Sequence, residues 1–368
     1  MRIAFYAPLK PPDHDIPSGD RRMARAMVAA LELAGHEVVL ASRTRAWSRT
    51  PADLEAIRRA AMGEAADLLG KWQTGEQAPD LFLTYHLYYR APDWIGPAVA
   101  AALDIPYAVA EASFAMKRAA GPWAPGHDAV AAALRQAGVV FALKDGDIPG
   151  LAKVEGFTAE VVPLPPFLDG APPPPPNRER SGVPVLLAVG MMRARAKLDS
   201  YRFLAAALKP LAHAQWSLII AGDGPARGEV EAAFAGFPTG KVRFAGVQTA
   251  TQIAAHYAAA DLFVWPGIDE GYGMVYLEAQ AAGLPVVATA SGGVHNVVAD
   301  GVSGRLVARG NVNAYRQAIE DLLNRPGERR ALGARAARYV RERHALPVAS
   351  ATIDEALQRL RGGDRKGS

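Results

Sequence analysis

There is no cysteine anywhere in the 368 residues. That excludes disulfides and thiolate metal sites, and it fits a cytoplasmic protein. Long apolar runs are missing as well. The longest candidate, residues 183–192, is about half of the roughly 20 residues a membrane-spanning helix needs, and it reads as a strand. The apolar stretch behind Met1 and Arg2 ends at Pro8, too short for the core of a signal peptide. Zinc-finger spacings and RNA-binding signatures are absent, so nucleic acid is not an expected partner. Neither sign of charge dominates: 41 Lys and Arg against 37 Asp and Glu give +4, with a pI near 9.2. The basic side chains are mostly arginine and are scattered. Such a surface allows contact with phosphate ligands or a peripheral meeting with the inner face of a membrane, but it reads first as ordinary solvated exterior.

What the chain does have is enough apolar content, 50%, for two domains of ordinary size. Residues 2–7 read as a strand, 21–34 as a helix that Ser18 or Asp20 can cap, and 37–42 as the next strand, a βαβ opening. Residues 43–71 are charged and read as one or two exposed helices, with a basic amphipathic face able to meet a membrane surface. Further strands are expected at 80–85, with His86 at the end, at 105–110, running into Glu111, at 139–143 and at 161–168. Lys117 and Arg118 follow Glu111 and can face an anionic ligand. The pair Asp145 and Asp147 precedes a helix, where capping is a simpler task than holding a metal. Five prolines at 172–176 are stiff and lack backbone donors. They mark a domain boundary, with the linker taken as 171–182.

Strands then restart at 183–189, 216–221 and 242–245. The turn Gly222-Asp223-Gly224-Pro225 fails the dinucleotide fingerprint, because Arg227 stands where a third glycine belongs. The most informative stretch is 265–287, WPGIDEGYGMVYLEAQAAGLPVV. A short strand at 262–265 enters a Gly-containing loop with Glu270, then a small-residue helix at 274–282 carrying Glu278. Gly283 and Pro285 stop that helix, and 286–289 reads as a buried strand. The first-turn amides of a helix have no intrahelical acceptor and sit at the positive end of the macrodipole, so they suit an anion. Two carboxylates eight positions apart beside such an anion hole suit a ligand with a phosphate and several hydroxyls, such as a nucleotide sugar. Upstream, Arg193, Arg195 and Lys197 follow the strand end at Gly190, where cations can stabilise a departing diphosphate.

From about residue 183 to 343 the chain resembles the retaining GT-B glycosyltransferases with an E-x7-E motif, group 1 or family four. The likeness is carried by Glu270, Gly271, Gly273, Glu278, Ala279, Ala282, Gly283, Pro285 and Val286, with Tyr272 where the family usually has Phe. It continues through Gly292, Gly293 and residues 300–307. The resemblance implies an α/β fold of two doubly wound Rossmann-like domains facing a cleft. These are an acceptor-side domain over 1–170 and a nucleotide-sugar-binding domain over 183–345, with a final helix, 346–360, crossing back to the first. It implies a retaining hexosyl transfer from a nucleoside-diphosphate sugar to a hydroxyl acceptor, with no metal or other cofactor.

By position, the resemblance assigns Glu278 to the ribose, and Glu270 with the amides of Gly271, Tyr272, Gly273, Met274 and Val275 to the sugar and phosphates. Lys197 and Arg193 or Arg195 fall to the diphosphate, Gln248 to the base and Gly19 to the loop under the diphosphate. His86 stands near a strand end where the family often has a histidine. Glu111 departs from the family, which often places a histidine there too. An ionised carboxylate accepts but does not donate, so acceptor binding or a base role is the expectation for it. His86, Lys117 and Arg118 complete the acceptor-side candidates. Two other readings stay open on the same fold: a sugar-nucleotide epimerase, and a nucleotide-sugar-binding module without chemistry.

Overall fold

The computed structural model describes residues 1–16, 18–170 and 182–364. The chain divides into two compact units, Met1–Gly170 with Leu346–Ser368, and Ala171–Ala345. The proline run 172–176 and the rest of the expected linker up to residue 181 lie outside the described residues.

The first unit holds strands β1 (Arg2–Tyr6), β2 (Glu37–Ser42), β3 (Leu81–Leu87), β4 (Tyr107–Ala112), β5 (Val139–Ala142) and β6 (Glu160–Pro163). Between them run helices α1 (Gly19–Leu33), α2 (Leu54–Thr74), α3 (Gly96–Leu103), α4 (Ala124–Gln136) and the short α5 (Ile148–Leu151). All strand pairs are parallel, in the order β2-β1-β3-β4-β5-β6. A parallel sheet covered on both faces needs strands apolar on both faces. The stretch Leu81–Leu87 meets that need, with Leu81, Phe82, Leu83, Thr84 and Tyr85 all buried.

Helix α1 starts because the Ser18 side chain accepts from the Arg21 amide at 3.2 Å, and it packs Met23, Met27, Ala30 and Leu31 inward at helical spacing. Of the two capping candidates, Ser18 is therefore the cap, and Asp20 is left for another task. Residues 43–71 yield one long helix after a 3-10 turn. It buries Leu54, Ala61, Ala65, Leu68 and Trp72, and its charges alternate (Glu55, Arg58, Arg59, Glu64, Asp67, Lys71). That is the composition of a packed, solvated helix rather than a basic strip. Helix α3 was not evident from the pattern: Gly-Pro-Ala-Val-Ala-Ala-Ala-Leu is nearly uniform in polarity and has no distinct face to read.

The second unit runs β7 (Val185–Val189), α6 (Ala196–Leu208), β8 (Ser217–Ala221), α7 (Arg227–Phe234), β9 (Val242–Gly246), α8 (Ala250–Ala259), β10 (Leu262–Val264), α9 (Met274–Ala281), β11 (Val286–Thr289), β12 (Gly304–Val307), α10 (Val312–Asn324) and α11 (Pro326–Arg343). Its sheet is again wholly parallel, in the order β12-β11-β10-β7-β8-β9. The last helix, α12 (Leu346–Asp364), belongs to the first unit and packs on α1 and β5. Ser350 of α12 donates to the Ala30 carbonyl at 2.8 Å. No helix among the described residues is long and apolar enough to cross a membrane.

In each unit the strand order reverses once. The chain leaves β1 for β2 on one side and returns for β3 on the other; it does the same at β7, with β8 on one side and β10 on the other. In open α/β sheets, ligands bind outside the carboxyl ends of the strands at such switch points.

Candidate active site

In the second unit the switch point lies between the ends of β7 and β10, and both of its loops carry predicted residues. Lys197 opens α6 just after β7, and Glu270 sits on the loop after β10. The Lys197 ammonium donates to Glu270 Oε2. Beneath them lies Trp265: the ammonium stands 5.4 Å from the indole centroid, and the indole N–H donates to the same Glu270 oxygen at 3.4 Å. The lysine and glutamate side chains are 27% and 17% exposed, so the pair is only partly shielded from water. The indole is fully buried and wedged against Tyr201 at 4.8 Å between centroids, which fixes the floor of the site.

The loop that presents Glu270 is braced on every side. Ser200 and Ser291 accept from the amides of Ile268 and Asp269 at 3.0 and 2.9 Å, and Asp269 pairs with Arg309 at 2.8 Å. Two glycines let other backbone approach it. Gly292, at φ +57°, packs so closely that a Cβ would lie 2.0 Å from the Glu270 carbonyl oxygen. Gly273, at φ +71°, is the N-cap of α9, and a Cβ there would collide with the Tyr276 ring and the Glu270 side chain at 2.7–2.9 Å. Gly271 differs, since a Cβ would meet nothing within 4 Å. Tyr272 and Met274 are buried and Val275 half-buried, so it is backbone rather than side chain that the helix start offers to a ligand. Tyr276 donates to the Trp265 carbonyl at 3.1 Å, and burial, with Glu270 nearby, pushes its phenol well above the ordinary range, so it remains a donor.

Glu278 lies within α9. Its Oε2 accepts a 2.6 Å hydrogen bond from Tyr257, a buried residue of α8. Gln248, on the loop after β9, is bound within its own neighbourhood: its amide nitrogen donates to the Ala245 carbonyl at 2.6 Å, and its oxygen lies 3.0 Å from His256 Nε2. Arg193 and Arg195 are exposed on the loop between β7 and α6, and Arg195 has a left-handed backbone, φ +66°.

In the first unit the predicted residues gather at the other switch point. Gly19 is the first residue of α1, and a Cβ there would meet nothing within 4 Å, so packing does not require the glycine. Asp20 beside it reaches across to β3, where its Oδ1 lies 3.1 Å from His86 Nδ1. His86 in turn lies 4.0 Å from Glu111 Oε2. Both residues fall inside the ends of their strands, and both have left-handed backbones, φ +66° and +57°. That conformation is uncommon for residues with a Cβ and clusters at functional sites. Glu111 is buried and well supplied with donors, Tyr85 at 2.9 Å on Oε2 and Lys144 at 2.9 Å on Oε1.

Burial works against charge on Glu111, yet His86 and Lys144 beside it hold its carboxyl below the usual range. Burial likewise opposes charge on His86, and Glu111 and Asp20 raise it above the ordinary imidazole value. Lys144 also lies 3.4 Å from Asp147. Asp147 precedes α5, but its side chain makes no capping bond. Lys117 is exposed on a 3-10 turn, Met116–Arg118, and Arg118 stacks on Tyr89 at 4.9 Å.

Residues 183–325 match the family model described as "Glycosyl transferases group 1". Over this segment the chain is similar to the group 1 glycosyl transferases. Over 103 residues the chain is 44% identical to the D-inositol 3-phosphate glycosyltransferase of Salinispora tropica, which is 28% of this chain and 21% of that protein. The chain spans about a fifth to a quarter of the length of the curated relatives it matches. Two solved structures align over nearly its whole length. One is a sucrose-phosphate synthase from Thermosynechococcus elongatus, with TM-score 0.74, 20% identity and coverage of 98% of this chain and 99% of that one. The other is Anabaena Alr3699/HepE in complex with UDP-glucose, with TM-score 0.65, 17% identity and coverage of 98% and 100%. These likenesses show the fold, and it is the GT-B fold expected from the group 1 resemblance.

Several partners of the predicted site residues were not themselves site candidates. Trp265 and Tyr257 hold Glu270 and Glu278, and Asp20, Tyr85 and Lys144 surround His86 and Glu111. Trp265 opens the 265–287 stretch, Asp20 stands at the start of a helix and Lys144 lies in the Lys-Asp-Gly-Asp stretch at a strand end, whereas Tyr257 and Tyr85 carried no local signal.

Proposed function

We propose that the chain is a retaining, metal-independent glycosyltransferase that moves a sugar from a nucleoside-diphosphate sugar to a hydroxyl of an acceptor. One observation carries this reading. Lys197 and Glu270, 73 residues apart, meet at the switch point on a fixed indole floor, beside the start of a helix whose Glu278 is held by Tyr257. The group 1 match over the same residues and the UDP-glucose bound by a structural neighbour support it.

In this reading Glu278 accepts from the ribose hydroxyls. Its Oε2 is already engaged by Tyr257, which fixes the carboxylate plane. Glu270 and the amides at the start of α9 take the sugar hydroxyls and phosphate. Lys197, with Arg193 or Arg195, meets the negative charge that grows on the leaving diphosphate. Because that charge is larger in the transition state than in the bound donor, these cations accelerate the step rather than merely tighten binding. The bond from the anomeric carbon to phosphate oxygen breaks, the bond to the acceptor oxygen forms on the same face, and the acceptor proton passes to the departing phosphate. Glu111, whose carboxylate accepts from Tyr85 and Lys144 and faces His86, is not needed as the base in this step.

The test is donor turnover. Purified protein is incubated with UDP-, GDP- and ADP-sugars, with water or simple sugars as acceptor, and release of free nucleoside diphosphate is followed. Release with retained anomeric configuration supports the reading. An altered sugar without nucleotide release would instead indicate an epimerase, and binding without turnover would indicate a module without chemistry.

A further inference from the structure

Beside His86 the first unit carries a patch of aromatic rings and arginines that the donor chemistry does not use. Tyr88 lies 5.3 Å from His86 between ring centroids, Tyr89 lies 5.7 Å from Tyr88, and Trp123 lies 5.2 Å from Tyr89. Trp47 joins them through Arg90, which is sandwiched between Trp47 at 5.3 Å and Trp123 at 5.2 Å. The rings of Trp47, Tyr88, Tyr89 and Trp123 are only half-buried.

Three arginines stack on this patch, and they are not equivalent. Arg90 donates from Nε to the Ser48 carbonyl at 3.0 Å and from Nη2 to the Arg49 carbonyl at 2.9 Å. Arg45 donates from Nε to the Leu9 carbonyl at 3.0 Å while lying over Trp47 at 5.6 Å. Both guanidiniums are therefore tied into the backbone. Arg118 stacks over Tyr89 at 4.9 Å, and its Nε is buried without a hydrogen-bond partner. A buried donor left without an acceptor is costly, more so on a charged group, and native structures rarely carry one without a reason. Lys117 stands exposed beside it, with no ion-pair partner among the described residues.

The geometry points to Arg118 as the anchor of an oxyanion, the phosphate or carboxylate of a sugar-like acceptor whose ring lies along Tyr88 and Tyr89. The Nε is enclosed, and the Arg118 guanidinium makes no hydrogen bond or ion pair among the described residues, so its two terminal NH2 groups are left to meet a carboxylate or phosphate. Aromatic rings supply rigid contact area for the apolar face of the same ligand. The patch continues through Tyr88 to His86, at the switch point of this sheet, so such an acceptor would be held at one end by its charge with its hydroxyls directed toward the strand ends. This assignment rests on the glycosyltransferase reading, since it makes the bound anion an acceptor.

The test uses the full chain and three probes: glucose 6-phosphate, glucuronate and neutral glucose. Binding is read by saturation-transfer NMR, with nucleoside diphosphate binding measured in the same samples. Saturable binding of an anionic probe, with glucose much weaker, is expected; which anion binds distinguishes phosphate from carboxylate recognition. Arg118→Ala should weaken that binding at least tenfold. Arg118→Lys, which keeps the charge and the stem but lacks the fork, should fall between them and guards against a folding defect. Anionic probes no better than glucose, or an unchanged Arg118→Ala protein, overturn the inference while nucleotide binding remains intact. An anion site in a protein that binds no nucleotide overturns its role as an acceptor site, together with the reading beneath it.

Discussion

Replacing Lys197 by alanine separates two effects that the structure predicts to be very unequal. The ammonium pairs with Glu270, but both side chains retain contact with water, 27% and 17% exposed. Ion pairs so placed contribute little to folding, roughly 0–1 kcal/mol, and the lost contact with the Trp265 face adds at most about 1 kcal/mol at such exposure. The melting temperature should therefore fall by only about 2–4 °C per kcal/mol lost in a unit of this size. Turnover should respond far more strongly. Removing one preorganised donor aimed at developing charge costs about 10²–10³ in rate, near 3–4 kcal/mol. Steady-state release of nucleoside diphosphate, alongside thermal melts, measures both. Glu270→Ala and the double variant complete a cycle. Because the two side chains touch, their effects on turnover should be strongly non-additive. A well-folded Lys197→Ala protein with turnover within a few-fold of the native chain would refute the assigned role.

Tyr257→Phe removes only the hydroxyl that holds Glu278. A hydrogen bond to a charged group contributes about 1.5–3 kcal/mol, so the KM for donor should rise by about tenfold or more while kcat changes little; an unchanged KM would free Glu278 from dependence on Tyr257. At Gly292, alanine would place its Cβ 2.0 Å from the Glu270 carbonyl at φ +57°, so Gly292→Ala should cost about 2 kcal/mol or more and lower turnover, visible in urea melts and kinetics. The His86 cluster predicts a pH signature in stability. The imidazole value is raised in the fold, so its contribution is full below about pH 6.5 and fades as pH rises through the folded value. The carboxyls of Asp20 and Glu111 are held down, so theirs fades below about pH 4. The stability advantage of the native chain over His86→Gln should thus shrink as pH rises above about 6.5; a difference that stays constant over that rise would contradict a raised imidazole value in the fold.

Much of the second unit was legible because its chemistry is local. Glu270, Gly273, Glu278 and Gly283 lie within one loop and one helix, where spacing, glycine placement and helix stop signals are written in consecutive residues. The parallel strands were legible as short apolar runs between turns. Contacts created by strand order were not. Tyr257 and Glu278 are 21 residues apart, and Lys197 and Glu270 meet only because β10 returns to lie beside β7. The first unit shows the same division. His86 and Glu111 could be placed near strand ends, but nothing local announces a left-handed backbone at a residue with a Cβ. Lys144 lies 2.9 Å from Glu111 only after β5 pairs with β4. Asp20 looked like a helix cap, and the cap went to Ser18 because its hydroxyl reaches the Arg21 amide. Helix α3 escaped notice for a different reason: its alanine-rich segment lacks a polar face, and periodicity is the signal that reveals a helix.

Calorimetric titration tests most directly whether the second unit is a nucleoside-diphosphate-sugar site. UDP, GDP, ADP and their common sugars are titrated into the native chain and into Glu278→Ala. The prediction is saturable binding with a clear preference for one base, lost or weakened at least tenfold in Glu278→Ala. Folded native protein that binds none of these nucleotides, or binds one equally well without Glu278, would contradict a donor site in the second unit.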